Sequence, residues 1–467
     1  MNRSIVITGL GPLCSIADSS ESFWHSLQTE TSSITPIETF DASGFSYPLA
    51  GQVNAKVRDW VPKSYRKATK VMARDTELAV IAAKIAADDA GLLTAGSDEN
   101  DQGFSTNPTR SGCQIGAGLI AADTAEMSRA VVTATDDTGT FNTKNWGTEE
   151  PGNAGMNNLP PLWLLKYLPN MPACHVTIIH GFCGPSNTIM GAEAGALLSI
   201  IESTRVIQRN AADLCLTGGA ESRLNPLGLL RWDYAGRLAN VHKNPHTTPH
   251  TDPHTDPSDI LKPFDDSSVG SIMGEAAGML VVEEESHANS RNARAYARIS
   301  GYASTQSLNP PLPIFNDQPA TPHSTPPSTP PSTPPTDEAL SRAITIALKK
   351  ANLTPADLDA VLPLGIGQPT LDTREANALR DALGPHANSV PIVTLTNRTG
   401  NTLSAHTGLM TAAAALILHH QKLPAGTTTL THSGPIAPTP GSIPLKHVLI
   451  CTSSLAGQCG ALVLSKI

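Results

Sequence analysis

The chain has 467 residues, enough for two or three domains. Its 32 Lys and Arg against 41 Asp and Glu give a net charge of −9, which argues against a nucleic-acid-binding surface. The seven cysteines form no CxxC pair, which indicates a reducing compartment with neither a disulfide framework nor a zinc site. Met1 leads directly into a strand, and the most apolar helix, Ala405 to Leu418, is short and rich in alanine. We therefore expect a cytoplasmic protein with no signal peptide and no membrane span.

The N-terminal region is predicted to be a strand followed by a helix. Ser4–Gly11 is apolar and should form a buried strand that enters a glycine turn. A helix with Phe23, Trp24 and Leu27 follows it. The sequence GLGPLC lacks the third glycine and the distal acid of a dinucleotide-binding motif, so it does not favour a nucleotide site.

Residues 184–221 predict a loop, a buried helix, a short strand and a glycine turn. Leu197, Leu198 and Ile201 recur at helical spacing and give the helix an apolar face. Leu214–Thr217 is the predicted strand, and Gly218 with Gly219 should let the chain turn sharply after it.

Three polar segments are predicted to be surface insertions. Residues 133–158 are rich in Thr, Asp, Asn and Gly, and residues 310–336 contain Ser-Thr-Pro-Pro repeats. Residues 242–257 hold three tetrapeptides that begin with His246, His250 and His254. Histidines four apart could share a helix face and bind a metal, but a proline in every tetrapeptide excludes that helix.

The segment 184–221, which begins with GPS after Cys183 and ends in GGAE, resembles the β-ketoacyl-acyl carrier protein synthases of fatty acid and polyketide synthesis. VITGLG near the N-terminus and the PFD and GE sequences within 262–284 resemble the same family. The resemblance covers nearly the whole chain apart from the insertions. It implies an α/β, thiolase-like fold with two duplicated halves, 1–260 and 261–467, in a layered αβαβα arrangement.

The resemblance also identifies the position of the family's nucleophilic cysteine. Counts from the GPS sequence and from the GGAE sequence agree without a gap, and both place Glu193 there. The nucleophile is therefore missing. A carboxylate at a helix N-terminus is electrostatically favoured, and we expect N–H groups of the helix start to meet its charge.

The other catalytic positions of the family are also altered. Leu364 takes the place of the first histidine, and Asn401 or Thr402 takes that of the second, depending on a one-residue gap. Asn397 or Arg398 takes the place of the lysine, and His406 comes a turn too late to substitute.

Two further family features can be located. Glu275 takes the position of a structural glutamate. Residues 453–457, which include Ser453 and Leu455, replace the family's phenylalanine-bearing gate loop. Cys183 precedes a Gly-Pro loop, so we expect it to be a buried, inert thiol.

These losses predict a catalytically silent homologue of the chain-length-factor type. Such proteins pair with an active ketosynthase and shape its acyl tunnel, and acyl carrier protein with its phosphopantetheine thioesters is a further expected ligand. No metal or other cofactor is expected. Two alternatives stay open: an active 3-oxoacyl synthase or malonyl decarboxylase that uses Glu193 or an unrecognised nucleophile such as Cys183, and a homodimeric acyl-binding protein. The sequence does not distinguish fatty acid from polyketide synthesis.

Overall fold

A computed structural model describes residues 3–30, 32–97, 104–147, 154–240, 256–308, 337–430 and 444–467. Its strands are β1 Ile5–Leu13, β2 Ile34–Pro36, β3 Leu49–Gly51, β4 Ser111–Ala117, β5 Ser186–Met190, β6 Leu214–Glu221, β7 Met273–Gly274, β8 Ala276–Glu284, β9 Ala297–Gln306, β10 Ala360–Leu362, β11 His447–Ser453 and β12 Gln458–Ser465. Its helices are α1 Ser20–Leu27, α2 Arg74–Asp89, α3 Thr124–Thr133, α4 Thr143–Trp146, α5 Trp163–Lys166, α6 Met171–His180, α7 Gly195–Gln208, α8 Pro226–Tyr234, α9 Pro257–Ile260, α10 Glu285–Ser290, α11 Glu338–Ala351, α12 Pro369–Leu383, α13 Thr396–Thr399 and α14 His406–His420. No helix within these ranges is long and apolar enough to cross a membrane.

Nine strands form one sheet in the order β10-β11-β12-β9-β1-β8-β6-β4-β5. In the first part, β4 pairs in parallel with both β5 and β6, and β8 is antiparallel to β6 and β1. The second part repeats this pattern, because β10 is parallel to β11 while β12 is antiparallel to β11 and β9. The two parts meet where β1 pairs with β9. The internal repeat predicted from the sequence is therefore visible in the strand order.

Helices and sheet halves alternate in five layers. The largest apolar cluster lies between the halves and contains the buried faces of α7 and α14, for example Leu197 and Leu409. A second cluster packs α2 and α6 on the outer face of the first half, and a third packs α11 and α12 on the second. This arrangement confirms the layered, thiolase-like α/β fold.

The strand order bears on where one half ends. β8 lies between β6 and β1, so residues up to Glu284 belong to the first half of the sheet. We therefore place the boundary between Glu284 and Ala297 rather than at 260/261. Of the predicted insertions, residues 133–147 and 154–158 contain α4 and the end of α3, whereas 241–255 and 309–336 lie outside the described residues.

The predicted glycine turns are wrong in two strands. β1 continues through Gly9 and Gly11, and β6 continues through Gly218 and Gly219. A Cβ at Gly9 would overlap the Ala86 carbonyl of α2, and similar overlaps exist at the other positions. The glycines allow helices and neighbouring strands to approach the sheet closely, and they do not end the strands.

Candidate functional site

Glu193 lies at the start of α7, where the chain leaves the edge strand β5. Its side chain is 1% exposed, within a single 3₁₀ turn that precedes the helix. The preceding residue, Ala192, has a φ of 44°, a left-handed conformation that is uncommon for alanine. A Cβ at Gly195 would overlap Ser404, so the helix start is held tightly against the loop before α14.

The Glu193 carboxylate accepts a hydrogen bond from the gate loop. The Leu455 N–H donates to its Oε2 over 3.0 Å. Burial raises the pKa of Glu193, while the Arg237 charge, the Leu455 N–H and the residue's own N–H oppose that rise. The expectation that the helix start meets this charge therefore holds only for the N–H of Glu193 itself. The Leu197 N–H in the first turn donates instead to Thr407 Oγ1, at 3.0 Å.

The carboxylate faces a cavity of about 20 Å³, enough for one or two water molecules. We call it the Glu193 cavity. Its walls bring together three of the predicted positions, Glu193, Leu364 and the gate loop. The lining is Glu193, Arg237, Leu364, Ile366, Leu371, Asp372, Arg374, Glu375, Ser453, Ser454 and Leu455. Asn401, Thr402 and Asn397 are not in this lining.

Two carboxylates fix the loop that carries Leu364. Glu375 accepts the N–H groups of Leu364 and Gly365, each at 2.9 Å, and Asp372 accepts those of Ile366 and Gly367, each at 3.0 Å. Burial raises the pKa of Asp372 to about 7 and that of Glu375 to about 8, against the effect of these donors. Leu364 is thus held rigidly, 5% exposed, with a side chain that can neither donate nor accept a proton.

Asn401 and Thr402, the two candidates for the second histidine, are engaged in local structure. Asn401 Oδ1 accepts the Leu403 N–H at 3.0 Å, and the Asn401 main chain pairs with residues 272–274. Thr402 Oγ1 lies 3.2 Å from Nδ1 of His406. His406 Nε2 lies 3.3 Å from Thr396 Oγ1, so hydroxyl groups flank both ring nitrogens. His406 is fully buried and outside the Glu193 cavity.

The burial of His406 leads to a prediction about acid stability. Burial lowers its pKa from 6.5 to about 4, and that of His180 likewise. An unfolded chain binds these protons below pH 6.5 while the folded chain does not. Stability should therefore fall as the pH drops from 6.5 towards 4, by roughly 3 kcal/mol at most for each histidine.

The measurement is urea unfolding between pH 7 and 4.5. His406→Asn should lose less stability than the wild type over this range. The control is His25→Asn, at an exposed position, which should lose as much stability as the wild type. An unchanged pH dependence in His406→Asn would contradict the assignment of a neutral buried histidine.

Asn397 and Arg398, the candidates for the lysine, differ in role. Arg398 is 3% exposed, and its guanidinium donates to the carbonyl groups of Ser26, Thr29 and Ala425. It therefore joins α13 to the last turn of α1, to the loop after α1 and to the loop after α14. Asn397 Oδ1 is buried without a hydrogen-bond partner among the described residues. Neither side chain lines the Glu193 cavity.

Glu275 makes the contacts that a structural glutamate requires. Its carboxylate accepts from Arg74 Nη2 at 2.8 Å, from the Val53 N–H at 3.0 Å and from Ser222 Oγ at 2.9 Å. It ties α2 and the segment after β3 to the end of β6. Arg74, the first residue of α2, therefore serves the fold through its ion pair with Glu275.

The expectation for Cys183 is wrong, because its thiol is exposed. The chain there runs along the N-terminal end of β4, where the Cys183 N–H donates to the Pro108 carbonyl and the Gly184 N–H to that of Ser111. This places the residue at the surface. Cys183 is not in the lining of the Glu193 cavity.

The sequence analysis missed Arg237, Arg374 and Thr407. Arg237 follows α8 and is 5% exposed beside Glu193. No periodic pattern marks an arginine that faces inward from a loop. The spacing of Asp372 and Glu375 does carry a signal, because carboxylates three apart on a predicted helix share one face.

Comparisons with known proteins match most of the chain to one family. Residues 2–288 match the family model for the β-ketoacyl synthase N-terminal domain, and residues 327–429 match that for the C-terminal domain. A 3-oxoacyl-[acyl-carrier-protein] synthase 2 of Staphylococcus aureus strain N315 is 26% identical over 426 residues, 90% of this chain and 87% of the relative. One from Synechocystis is 26% identical over 423 residues, with the same coverage.

Solved structures share the fold. The ishigamide ketosynthase/chain length factor superposes with a TM-score of 0.75 at 21% identity, and both chains are covered completely. A type II polyketide synthase acyl-carrier protein in complex with its ketosynthase gives 0.74 at 22% identity, again with complete coverage.

Proposed function

The chain belongs to the β-ketoacyl synthase family, and from that premise we propose that it is a catalytically silent member of the chain-length-factor type. In this proposal it pairs with a cysteine-containing ketosynthase and shapes the acyl tunnel of that partner. Acyl carrier protein would bind the pair and present its phosphopantetheine thioesters to it.

One observation carries the proposal: the Glu193 carboxylate accepts the Leu455 N–H inside a cavity of about 20 Å³. Condensation needs a thiolate to take the acyl group and free N–H donors for the thioester oxyanion. Here a carboxylate replaces the thiol and already takes the N–H of the gate loop. The remaining space is too small for a thioester arm.

The loss of proton-transfer groups supports the same proposal. Leu364 faces the cavity where the family has a histidine, and the buried His406 is enclosed by threonines away from it. General-acid or electrophilic assistance contributes about 10²–10⁴-fold per group. A decarboxylase or synthase that uses Glu193 would have to act without this assistance. We therefore favour a catalytically silent protein over that alternative.

The edge strand β5 supports a partner interface. It pairs only with β4 among the described strands, and most of its side chains are exposed or half-buried. Met190 at its end is 51% exposed, and Ile178 on the neighbouring α6 is 62% exposed. An open sheet edge flanked by apolar side chains invites pairing with another chain.

A prediction follows for assembly. We expect a dimer through β5, a heterodimer with the ketosynthase or a homodimer when the chain is expressed alone, that buries roughly 2,000 Å² or more. Met190→Glu should weaken it at least about tenfold, because a carboxylate would be buried on association. Leu230→Glu, on the exposed face of α8, is the matched control. Sedimentation velocity of both variants is the measurement, and equal dimerisation of the two would exclude β5 as the interface.

The function itself is tested by reconstitution. A cysteine-containing ketosynthase from the same source is purified alone and as a co-expressed pair with this chain, and both are supplied with acyl- and malonyl-carrier protein. We expect the pair to make products of a defined chain length that the ketosynthase alone does not make. Identical products with and without this chain would overturn the proposed partner role.

A further inference from the structure

A second, larger pocket opens at the surface beside the Glu193 cavity. It has a volume of about 400 Å³ and lies between the end of β9 and the helices α11 and α12. Its walls include Gln306, Ser307, Glu338, Arg342 and Arg374. We call it the surface pocket. It holds two guanidinium groups and shares one of them, Arg374, with the lining of the Glu193 cavity.

Arg374 is the one described residue that lines both the surface pocket and the Glu193 cavity. Its charge also acts on Arg237, whose pKa is lowered first by burial and further by Arg374. Arg237 in turn lines the Glu193 cavity. The Arg374 side chain therefore lies between the two spaces, close to the Glu193–Arg237 pair.

The rest of the partition is fixed main chain. Asp372 and Glu375, which flank Arg374 in the first turns of α12, each accept two N–H groups of the loop 364–367. On the other side, Gln306 Nε2 donates to the Ala456 carbonyl at 2.9 Å, and the Ser307 N–H donates to that of Gly457 at 2.8 Å. These bonds fasten the wall of the surface pocket to the gate loop. The Arg374 side chain completes the partition, because it lines the space on both sides.

We propose that Arg374 is a barrier residue that closes the passage between the surface pocket and the Glu193 cavity. The surface pocket can take a narrow, linear thioester arm only as far as this side chain. The inference rests on the proposed silent site and adds to it: the chain has lost both its reactive groups and the access to their former position.

The test follows the accessibility of position 193. Glu193→Cys is labelled with iodoacetamide, and alkylation at residue 193 is timed by peptide mass spectrometry. In Glu193→Cys/Arg374→Ala we expect labelling at least about tenfold faster, because the side chain that blocks entry is gone. Glu193→Cys/Arg342→Ala is the matched control, since Arg342 lines the surface pocket but not the Glu193 cavity. Its rate should stay within about twofold of Glu193→Cys.

Protection of the buried Cys113 and Cys215 from alkylation in the same samples reports whether the fold is intact. Arg374→Ser replaces Arg374→Ala if the alanine variant misfolds. Unchanged labelling in a folded Arg374 truncation, or equal acceleration by Arg342→Ala, would overturn the barrier. Neither result bears on the silent-partner function, which is tested by product formation and not by access to a thiol.

Discussion

Arg398→Ala is expected to lower the free energy of unfolding by about 3 kcal/mol or more. The Arg398 guanidinium donates to Ser26 O at 3.0 Å, to Ala425 O at 2.6 Å and to Thr29 O. Truncation removes three charged hydrogen bonds in a largely buried region, where the Ser26 carbonyl keeps a donor in the Thr29 N–H but the Thr29 and Ala425 carbonyl groups lose the guanidinium. A loss of this size should lower the urea midpoint clearly.

Asn397→Ala is the matched control, because the two residues are neighbours on α13 and both are candidates for the family's lysine position. Asn397 Oδ1 is buried without a partner among the described residues, so its removal should cost little. Equal unfolding midpoints for Arg398→Ala and the wild type would show that Arg398 does not hold these loops together.

Glu193→Cys alone is expected to restore no condensation. The helix N-terminus would lower the pKa of the introduced thiol somewhat, so slow alkylation is allowed. The thiol would still face Leu364, with Asn401 and Thr402 committed to local structure outside the cavity. Missing assistance of about 10²–10⁴-fold per group should keep the product below detection.

The assay compares Glu193→Cys with Glu193→Ser, each incubated with acyl- and malonyl-carrier protein and followed by mass spectrometry. The serine variant has a similar volume and no thiol. A β-ketoacyl product from the cysteine variant above the serine background would mean that one substitution suffices, and the other losses would then need a different explanation.

Much of the fold could be predicted from sequence patterns. The amphipathic segment 337–353 forms α11, Glu338–Ala351, and the apolar segment at the N-terminus forms β1. Local periodicity carries this information, because it states which face of an element is buried. The glycines of β1 and β6 led to wrong turn predictions because the prediction used local patterns alone. A glycine that permits a helix to approach and a glycine that permits a turn have the same local signal.

The site was less predictable because its contacts are distant in sequence. The position of Glu193 follows from motifs on either side, but its hydrogen-bond donor, Leu455, lies 262 residues away. The inward orientation of Arg237 and the place of Arg374 between two pockets depend on how both halves pack. The exposure of Cys183 depends on its pairing with Pro108 beside the N-terminal end of β4. No local pattern contains these relations.

The most direct measurement of the central claim uses the wild-type protein without a partner. It is incubated with malonyl-carrier protein, with and without acyl-carrier protein, while released carbon dioxide is quantified and the carrier-bound products are identified by mass spectrometry. A silent site with Glu193, Leu364 and a cavity of about 20 Å³ predicts no carbon dioxide above the protein-free background and no β-ketoacyl product. Carbon dioxide release or a β-ketoacyl product from wild type alone would contradict the account and would assign a catalytic role to Glu193 or to another nucleophile such as Cys183.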